Sequence, residues 1–361
     1  MQILQLKKDN QKTVLAAAKK VLAAGGLVIF PTETTYGAGV LATSQSAVTK
    51  LLTYKSRREG KPLSIAVADQ AMAEQYVSLN EQAKTLYSQL LPGPVTVVSL
   101  AKQGKLAPGV TSEFGTLGVR IPDYSFVLEL VHDLGIPITA TSANGSGKPR
   151  PYSIELLLKN LSAKQQSLID LVIDAGTLPN NPPSTVIDTT LSTPVTLRQG
   201  AIAITAGGTA TLLESGSAEE TKRIAGQLSL QHWDTVGKNG LVFALDGPLG
   251  AGKTVFAQGV AQFLGIAERL TSPTYSYIQE YDFTRHQTKG LLYHCDLWKI
   301  DSAEACERLE LEKLLGPNKI VVIEWFAQVE NYIQPLLAKN NSKLVRIRLD
   351  ETPTGHTLTL S

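Results

Sequence analysis

The sequence predicts an α/β protein made of two domains, and three observations carry that expectation. The chain has 361 residues, and one domain ordinarily takes roughly 100–200. Short apolar runs of strand length alternate with longer amphipathic stretches in an irregular order. That order suits mixed sheets better than a repeated βαβ barrel. Finally, Gly247-Pro248-Leu249-Gly250-Ala251-Gly252-Lys253-Thr254 fits G-x-x-x-x-G-K-[ST]. An apolar strand precedes it and a helical pattern follows, the context that a phosphate-binding loop requires.

In chain order, residues 12–24 read as an amphipathic helix stopped by Gly25-Gly26, and Leu27-Val28-Ile29-Phe30 as a buried strand. Helices are expected near 46–54, 80–90 and 124–134, with strands at 63–68, 94–100 and 119–121 and extended chain at 136–140. Late strands follow at 172–174, 185–188 and 195–198. Small residues crowd 203–216, so the division is placed there, with domains 1–205 and 206–361. Part of that stretch can supply the first strand of the second domain. Ser217-Ala218-Glu219-Glu220 has capping-box spacing and starts a helix. Leu241 to Leu245 and Ile320 to Ile323 read as fully buried strands, with a helix at about 252–264.

The formal net charge of +2 lacks the strong basic excess of a dedicated RNA-binding domain. The two cysteines, Cys295 and Cys306, form no C-x-x-C pair and read as reduced thiols. No signal-peptide layout and no apolar run of about 20 residues is visible, so the expected location is cytoplasmic.

The glycine loop carries the most specific chemistry. Its glycines let consecutive N–H groups face one anion, and the helix that follows adds a favourable field. Lys253 is expected to reach the outer phosphates and Thr254 to bind Mg²⁺. Asp296 and Glu324, both at strand ends, are candidates for metal and water contacts. His294 alone reads as a packing or surface histidine, and Tyr275, Tyr277 and Tyr281 as strand packing.

In the first half, Pro31-Thr32-Glu33-Thr34-Thr35-Tyr36-Gly37 is a hydroxyl-rich loop at a strand end, where open α/β sheets hold ligands. Lys55, Arg57, Arg58 and Lys61 form a basic stretch that can be a solvated face or an anion clamp. Thr141-Ser142-Ala143-Asn144 follows an extended segment, and Leu91-Pro92-Gly93-Pro94 reads as a turn. No Ser/His/Asp order and no cysteine nucleophile is available there. The chemistry must rest on cations and oriented polar groups, as in nucleotidyl transfer.

Taken in order, these pieces resemble the YrdC/TsaC family over roughly 8–205. They are Pro31 to Gly37, Lys55-Ser56-Arg57 with Lys61-Pro62-Leu63, Leu91 to Thr96, Gly118-Val119-Arg120-Ile121-Pro122, Thr141 to Asn144, Ser184 to Asp188 and Leu197-Arg198-Gln199-Gly200. The resemblance implies an α/β domain with a twisted mixed sheet and a concave site. It also implies synthesis of threonylcarbamoyl-AMP from L-threonine, bicarbonate and ATP with release of pyrophosphate. Lys55, Arg57, Ser142 and Asn144 match the family's catalytic set. The resemblance further assigns ATP to Arg57, Lys61, Thr116, Asn144 and Arg198, and threonine to Thr35, Arg120, Ser142 and Ser184. Ala66 stands where some homologues carry a histidine.

Over roughly 210–361 the phosphate loop, Ser272-Pro273-Thr274-Tyr275, Tyr293-His294-Cys295-Asp296-Leu297-Trp298 and Ile323-Glu324-Trp325 are similar in order to TsaE, a P-loop ATPase. That likeness implies nucleotide contacts from Gly247, Gly250, Ala251, Gly252, Lys253, Thr254 and Trp325. It implies metal contacts from Thr254, Thr274 and Asp296, and Glu324 as the group orienting water. Pro248 and Lys299 replace the family's usual Asp and Arg, which bears on hydrolysis rate. The expected partner is a TsaD–TsaB-like transferase complex, with tRNA met indirectly or weakly and no membrane. The alternative is an RNA- or nucleotide-binding first domain, including a double-stranded-RNA binder, with a nucleotide-sensing second domain.

Overall fold

In the computed structural model the described residues are 1–56, 62–145, 147–191, 194–202, 211–268, 270–273, 276–300 and 302–360. Contacts cluster into two units, Met1–Ile204 and Thr205–Ser361. The sequence-based division at 205/206 falls within 203–210, outside the described residues.

The strands of the first unit divide between two sheets. In the five-stranded sheet Gln2–Gln5, Leu171–Asp174 and Val28–Phe30 run parallel, and Gly37–Gly39 and Thr141–Ser142 continue it antiparallel. The second sheet orders Val195–Arg198, Thr185–Asp188, Val95–Ala101, Thr116–Arg120, Ser64–Ala66 and Ile138–Thr139, with Val77–Ser78 paired to Val95–Ala101. Parallel and antiparallel pairs mix in both.

Side-chain alternation explains why the five-stranded sheet can be covered on both faces. Val28 and Phe30, with Leu171 and Ile173, join a core with Val14, Ala18 and Leu22 of helix Gln11–Ala23 and with Phe126, Val127, Leu130 and Val131 of helix Ser125–Leu134. Ile29 and Val172 point to the opposite core, beside Leu51, Val95, Val97, Leu117 and Val119. Helix starts follow side-chain caps: Ser44, Asn80 and Ser153 each accept from a backbone N–H two positions inside their helix's start. The Leu91–Pro92 peptide is cis within the expected turn.

The second unit has one seven-stranded sheet. Its order is Thr211–Ser215, Gly355–Leu360, Lys343–Thr352, Leu241–Asp246, Lys319–Glu324, Thr288–Asp296 and Ile278–Arg285. The four strands from Lys343–Thr352 to Thr288–Asp296 are parallel, and antiparallel pairs close both edges. Val242, Ala244, Val321 and Ile323 pack on Phe326, Val329 and Ile333 of helix Phe326–Asn340. On another contact, Phe243 meets Phe256 edge-on at 5.3 Å between centroids. Helices Ala218–Gln231 and Lys253–Leu264 approach closely at Gly259, where an added Cβ would lie 2.6 Å from the Lys222 Cα.

The helix start at Ser217 departs from a full capping box. Ser217 Oγ accepts from the Glu220 N–H, but Glu220 Oε2 accepts from the Gly216 N–H, one residue before the expected donor. Both cysteines are free and buried. Among the described residues, no helix is long and apolar enough to cross a membrane.

Candidate functional site

The first unit carries a polar cleft at the meeting of its two sheets. The five-stranded sheet contributes Gly37, Thr141 and Ser142, with Thr32, Thr34 and Thr35 from the loop after Val28–Phe30. The second sheet contributes Ser64, Thr96, Arg120 and Arg198, with Ser184 just before its strand Thr185–Asp188. The space is about 740 Å³ with the open solvent at its mouth included.

Internal hydrogen bonds fix this loop. Thr32 Oγ1 donates to the Thr35 carbonyl at 2.6 Å and accepts from the N–H groups of Thr34 and Thr35, both at 3.2 Å. Thr35 Oγ1 donates to the Pro151 carbonyl. The loop is therefore held as a shaped wall, by bonds within it and by bonds to Pro151 and Asn181.

Arg198 donates to Ser184 three times: Nε and Nη2 to the carbonyl at 3.0 and 2.9 Å, and Nη2 to Oγ at 2.8 Å. Ser184 Oγ also lies 3.0 Å from Thr96 Oγ1. Burial, and then the nearby charges of Arg150 and Arg120, push the Arg198 guanidinium down to about 10. A cleft that gathers three guanidinium groups suits an anionic occupant. Arg120 is additionally paired with Glu33, and both side chains are largely buried.

Lys55 plays a different part from a free anion clamp. The residue is 6% exposed, and its ammonium donates to the carbonyls of Ser142 at 2.6 Å and Asn144 at 2.5 Å. It thus gathers the turn that carries Ser142. Asn144 Nδ2 donates to the Lys148 carbonyl, so this amide acts within the same turn. Thr116 lies elsewhere, buried, with its hydroxyl 2.7 Å from Ser112 Oγ, and it is not among the residues lining the cleft. Its strand runs on to Arg120, and only that far end reaches the cleft. Arg57 and Lys61 lie outside the described residues. Arg150 is the site residue that sequence reasoning missed: it lines the cleft from the segment after Asn144, a lone cation between two prolines.

The second unit has a cleft along the carboxyl ends of its parallel strands, where open α/β sheets hold ligands. It is lined by Gly250, Gly252, Lys253, Thr254, Ser272, Asp296, Glu324 and Trp325, among others. Gly247 and Ala251 belong to the same loop without lining it. Gly247 has φ +138°, and a Cβ there would stand 2.0 Å from the Leu349 carbonyl oxygen, so no side chain fits. The loop breaks directly into helix Lys253–Leu264, whose N-terminus suits an anion.

Lys253 Nζ donates to the carbonyls of Gly247 at 2.8 Å and Pro248 at 2.7 Å, and lies 4.0 Å from the centroid of the Trp325 ring. Burial lowers its pKa, while Glu324, Asp296 and Asp246 act in the opposite sense. Asp296 and Glu324 stand side by side in register on neighbouring parallel strands. Thr254 Oγ1 donates to Glu324 Oε1 at 2.9 Å, and Ser272 Oγ donates to Asp296 Oδ2 at 2.6 Å. Thr254 and Asp296 offer hard oxygen donors that fit Mg²⁺. Thr254 spends its hydrogen on Glu324 and keeps its lone pairs for a cation. Thr274 and Tyr275 lie outside the described residues. His294, read from sequence as packing or surface, is fully buried with Nε2 2.8 Å from Glu324 Oε1.

Fold and sites together define an α/β domain with a cationic, hydroxyl-lined cleft joined to a P-loop nucleotide-binding domain. Residues 20–200 match the family model Sua5/YciO/YrdC, described as telomere recombination, and 215–356 match that of threonylcarbamoyl adenosine biosynthesis protein TsaE. The chain belongs to the Sua5/YciO/YrdC family and carries a TsaE domain fused behind it.

A Methanocaldococcus jannaschii protein named for threonylcarbamoyl-AMP synthase activity is 35% identical over 204 residues, 56% of this chain and 94% of its own length. The threonylcarbamoyl-AMP synthase of Bacillus subtilis is 36% identical over 189 residues, 52% of this chain and 54% of its own, so the match spans about half of that relative. The structure of P. abyssi Sua5 complexed with L-threonine superposes with a TM-score of 0.52 at 21% identity, covering 95% of this chain and 99% of that one. At that identity the likeness speaks for the fold.

Proposed function

We propose that this chain serves tRNA threonylcarbamoyladenosine synthesis with both halves. The first domain joins L-threonine, bicarbonate and ATP into threonylcarbamoyl-AMP, pyrophosphate and water. The observation that carries this reading is the convergence of Arg120, Arg150 and Arg198 with Thr35, Ser142 and Ser184 in one cleft. Clustered guanidinium groups suit a triphosphate and the developing charge of pyrophosphate. One of them, Arg120, suits the threonine carboxylate, and the hydroxyls suit its polar groups. Arg57, Lys61 and Asn144 extend the ATP contacts in this reading, and Lys55 keeps Ser142 in place. Holding three reactants in one cleft supplies further rate by proximity.

The second domain binds and hydrolyses ATP in this reading. Lys253 leaves the loop carbonyls for the outer phosphates, and Glu324 orients the attacking water. Thr254 and Asp296 would hold Mg²⁺, with Thr274 as a further contact, and bound Mg²⁺ would supply neutralisation of phosphate charge. Hydrolysis supports a TsaD–TsaB-like transferase that places the group on tRNA, in the cytoplasm.

Labelled bicarbonate tests the synthase reading. Label entering an adenylate only when threonine and ATP are both present supports it. Failure to incorporate label in a folded chain that binds ATP at the first site sinks it.

A further inference from the structure

The geometry points to His294 as the positioning residue of Glu324. This inference rests on the reading that the second domain hydrolyses ATP. His294 lies on strand Thr288–Asp296 and Glu324 ends the neighbouring parallel strand Lys319–Glu324. Both side chains are withdrawn from water, at 0% and 4% exposure. Glu324 Oε1 takes two hydrogen bonds, one from the Thr254 hydroxyl at 2.9 Å and one from His294 Nε2–H at 2.8 Å. An ionised carboxylate only accepts, so the imidazole carries its hydrogen on Nε2. Among the described residues Oε2 takes no hydrogen bond, and Glu324 lines the cleft.

The two oxygens therefore have separate duties. Oε1 is locked between the phosphate-binding helix and a buried imidazole, which fixes the carboxylate plane. Oε2 is left to handle water at the outer phosphate. The other face of the imidazole supports a dedicated role. Among the described residues His294 Nδ1, buried, meets no hydrogen-bond partner, an arrangement that packing alone disfavours. An apolar side chain would fill that position at no such cost. What the histidine adds is the single directed bond to Glu324. Thr254, in the first turn of helix Lys253–Leu264, serves the cation site as well, so His294 is the anchor whose one side-chain bond among the described residues goes to Glu324.

The test uses the full chain and measures release of inorganic phosphate from ATP without threonine, so that the synthase is silent. Lys253→Ala sets the background, and fluorescent ADP binding to the second domain is followed in parallel. His294→Ala is expected to lower kcat by roughly 10- to 100-fold, the usual effect of losing a group that orients an active one. KM and ADP affinity should stay within about twofold. His294→Gln, which returns an N–H donor, should recover most of kcat, whereas His294→Leu, of similar bulk but without a donor, should not. Unchanged kcat in His294→Ala overturns the inference while leaving hydrolysis standing. Equal losses in the Gln and Leu variants, or a fall in ADP affinity matching the fall in kcat, also overturn it by assigning His294 to structure alone. Wild-type release no faster than Lys253→Ala overturns hydrolysis and this inference together.

Discussion

The ammonium of Lys253 rests 4.0 Å from the centre of the Trp325 ring while it donates to the carbonyls of Gly247 and Pro248. Trp325 holds φ +64° at the start of helix Phe326–Asn340, so its ring is fixed by backbone as well as by the cation. Phosphate should draw Lys253 from these partners. Adding ATP with Mg²⁺ is expected to change tryptophan emission, and Trp325→Phe should remove most of that change although two tryptophans remain. An undiminished response in Trp325→Phe would place the reporter elsewhere.

Lys55 predicts a loss that charge alone cannot mend. Replacing it by Met leaves the carbonyls of Ser142 and Asn144 without their ammonium donor, at about 1–3 kcal/mol for each buried group. Threonine-dependent pyrophosphate release should fall at least about 100-fold, and the melting temperature should fall too. Lys55→Arg should not restore activity, because a planar guanidinium cannot reproduce a point donor in that pocket. Wild-type rates in Lys55→Met would show that the turn holds Ser142 unaided.

Arg198 binds Ser184 through a fork, so charge-preserving Arg198→Lys should also be harmful. Its KM for ATP in pyrophosphate release should rise by roughly 10-fold. The guanidinium, pushed down to about 10, remains charged through neutral pH. Between pH 7 and 8 the wild-type rate should show no step due to this group.

His232 supplies a pH dependence in stability. Burial, and then the charge of Lys343, push it down to about 4 from 6.5. Between those values the unfolded chain binds a proton that the folded chain refuses. Its contribution is therefore present above pH 6.5 and is lost as pH falls toward 4, with a slope approaching about 1.4 kcal/mol per pH unit. Urea unfolding of the second domain should show this decline, and His232→Gln should flatten it. An equal slope in the variant would assign the acid lability to other groups.

Much of this architecture was legible because it is written locally. Val28 to Phe30 and Leu241 to Leu245 are apolar runs of strand length, and the glycine loop declares its own turn and helix. The N-terminal edge strand was missed because Gln2–Gln5 shows little apolar pattern and takes its partner, Leu171–Asp174, from a distant part of the chain. The closing hairpin Lys343–Thr352 with Gly355–Leu360 likewise becomes meaningful only against its neighbours. At the sites, residue type was legible and role was not. Lys55 reads as part of a basic stretch, solvated or anion-clamping, and only the fold shows it donating to the carbonyls of Ser142 and Asn144. Arg150 is a solitary arginine until the fold carries it to Arg198. His294 and Glu324 are 30 positions apart, and only parallel pairing of their strands makes them neighbours.

Synthesis in the first domain is expected to be independent of the phosphate loop behind it. It is tested most directly by pyrophosphate release in Lys253→Ala, supplied with ATP, Mg²⁺ and bicarbonate, with and without L-threonine. Release is expected to require threonine and to proceed at the wild-type rate. A folded Lys253→Ala chain that releases no pyrophosphate, or releases it equally without threonine, would contradict it.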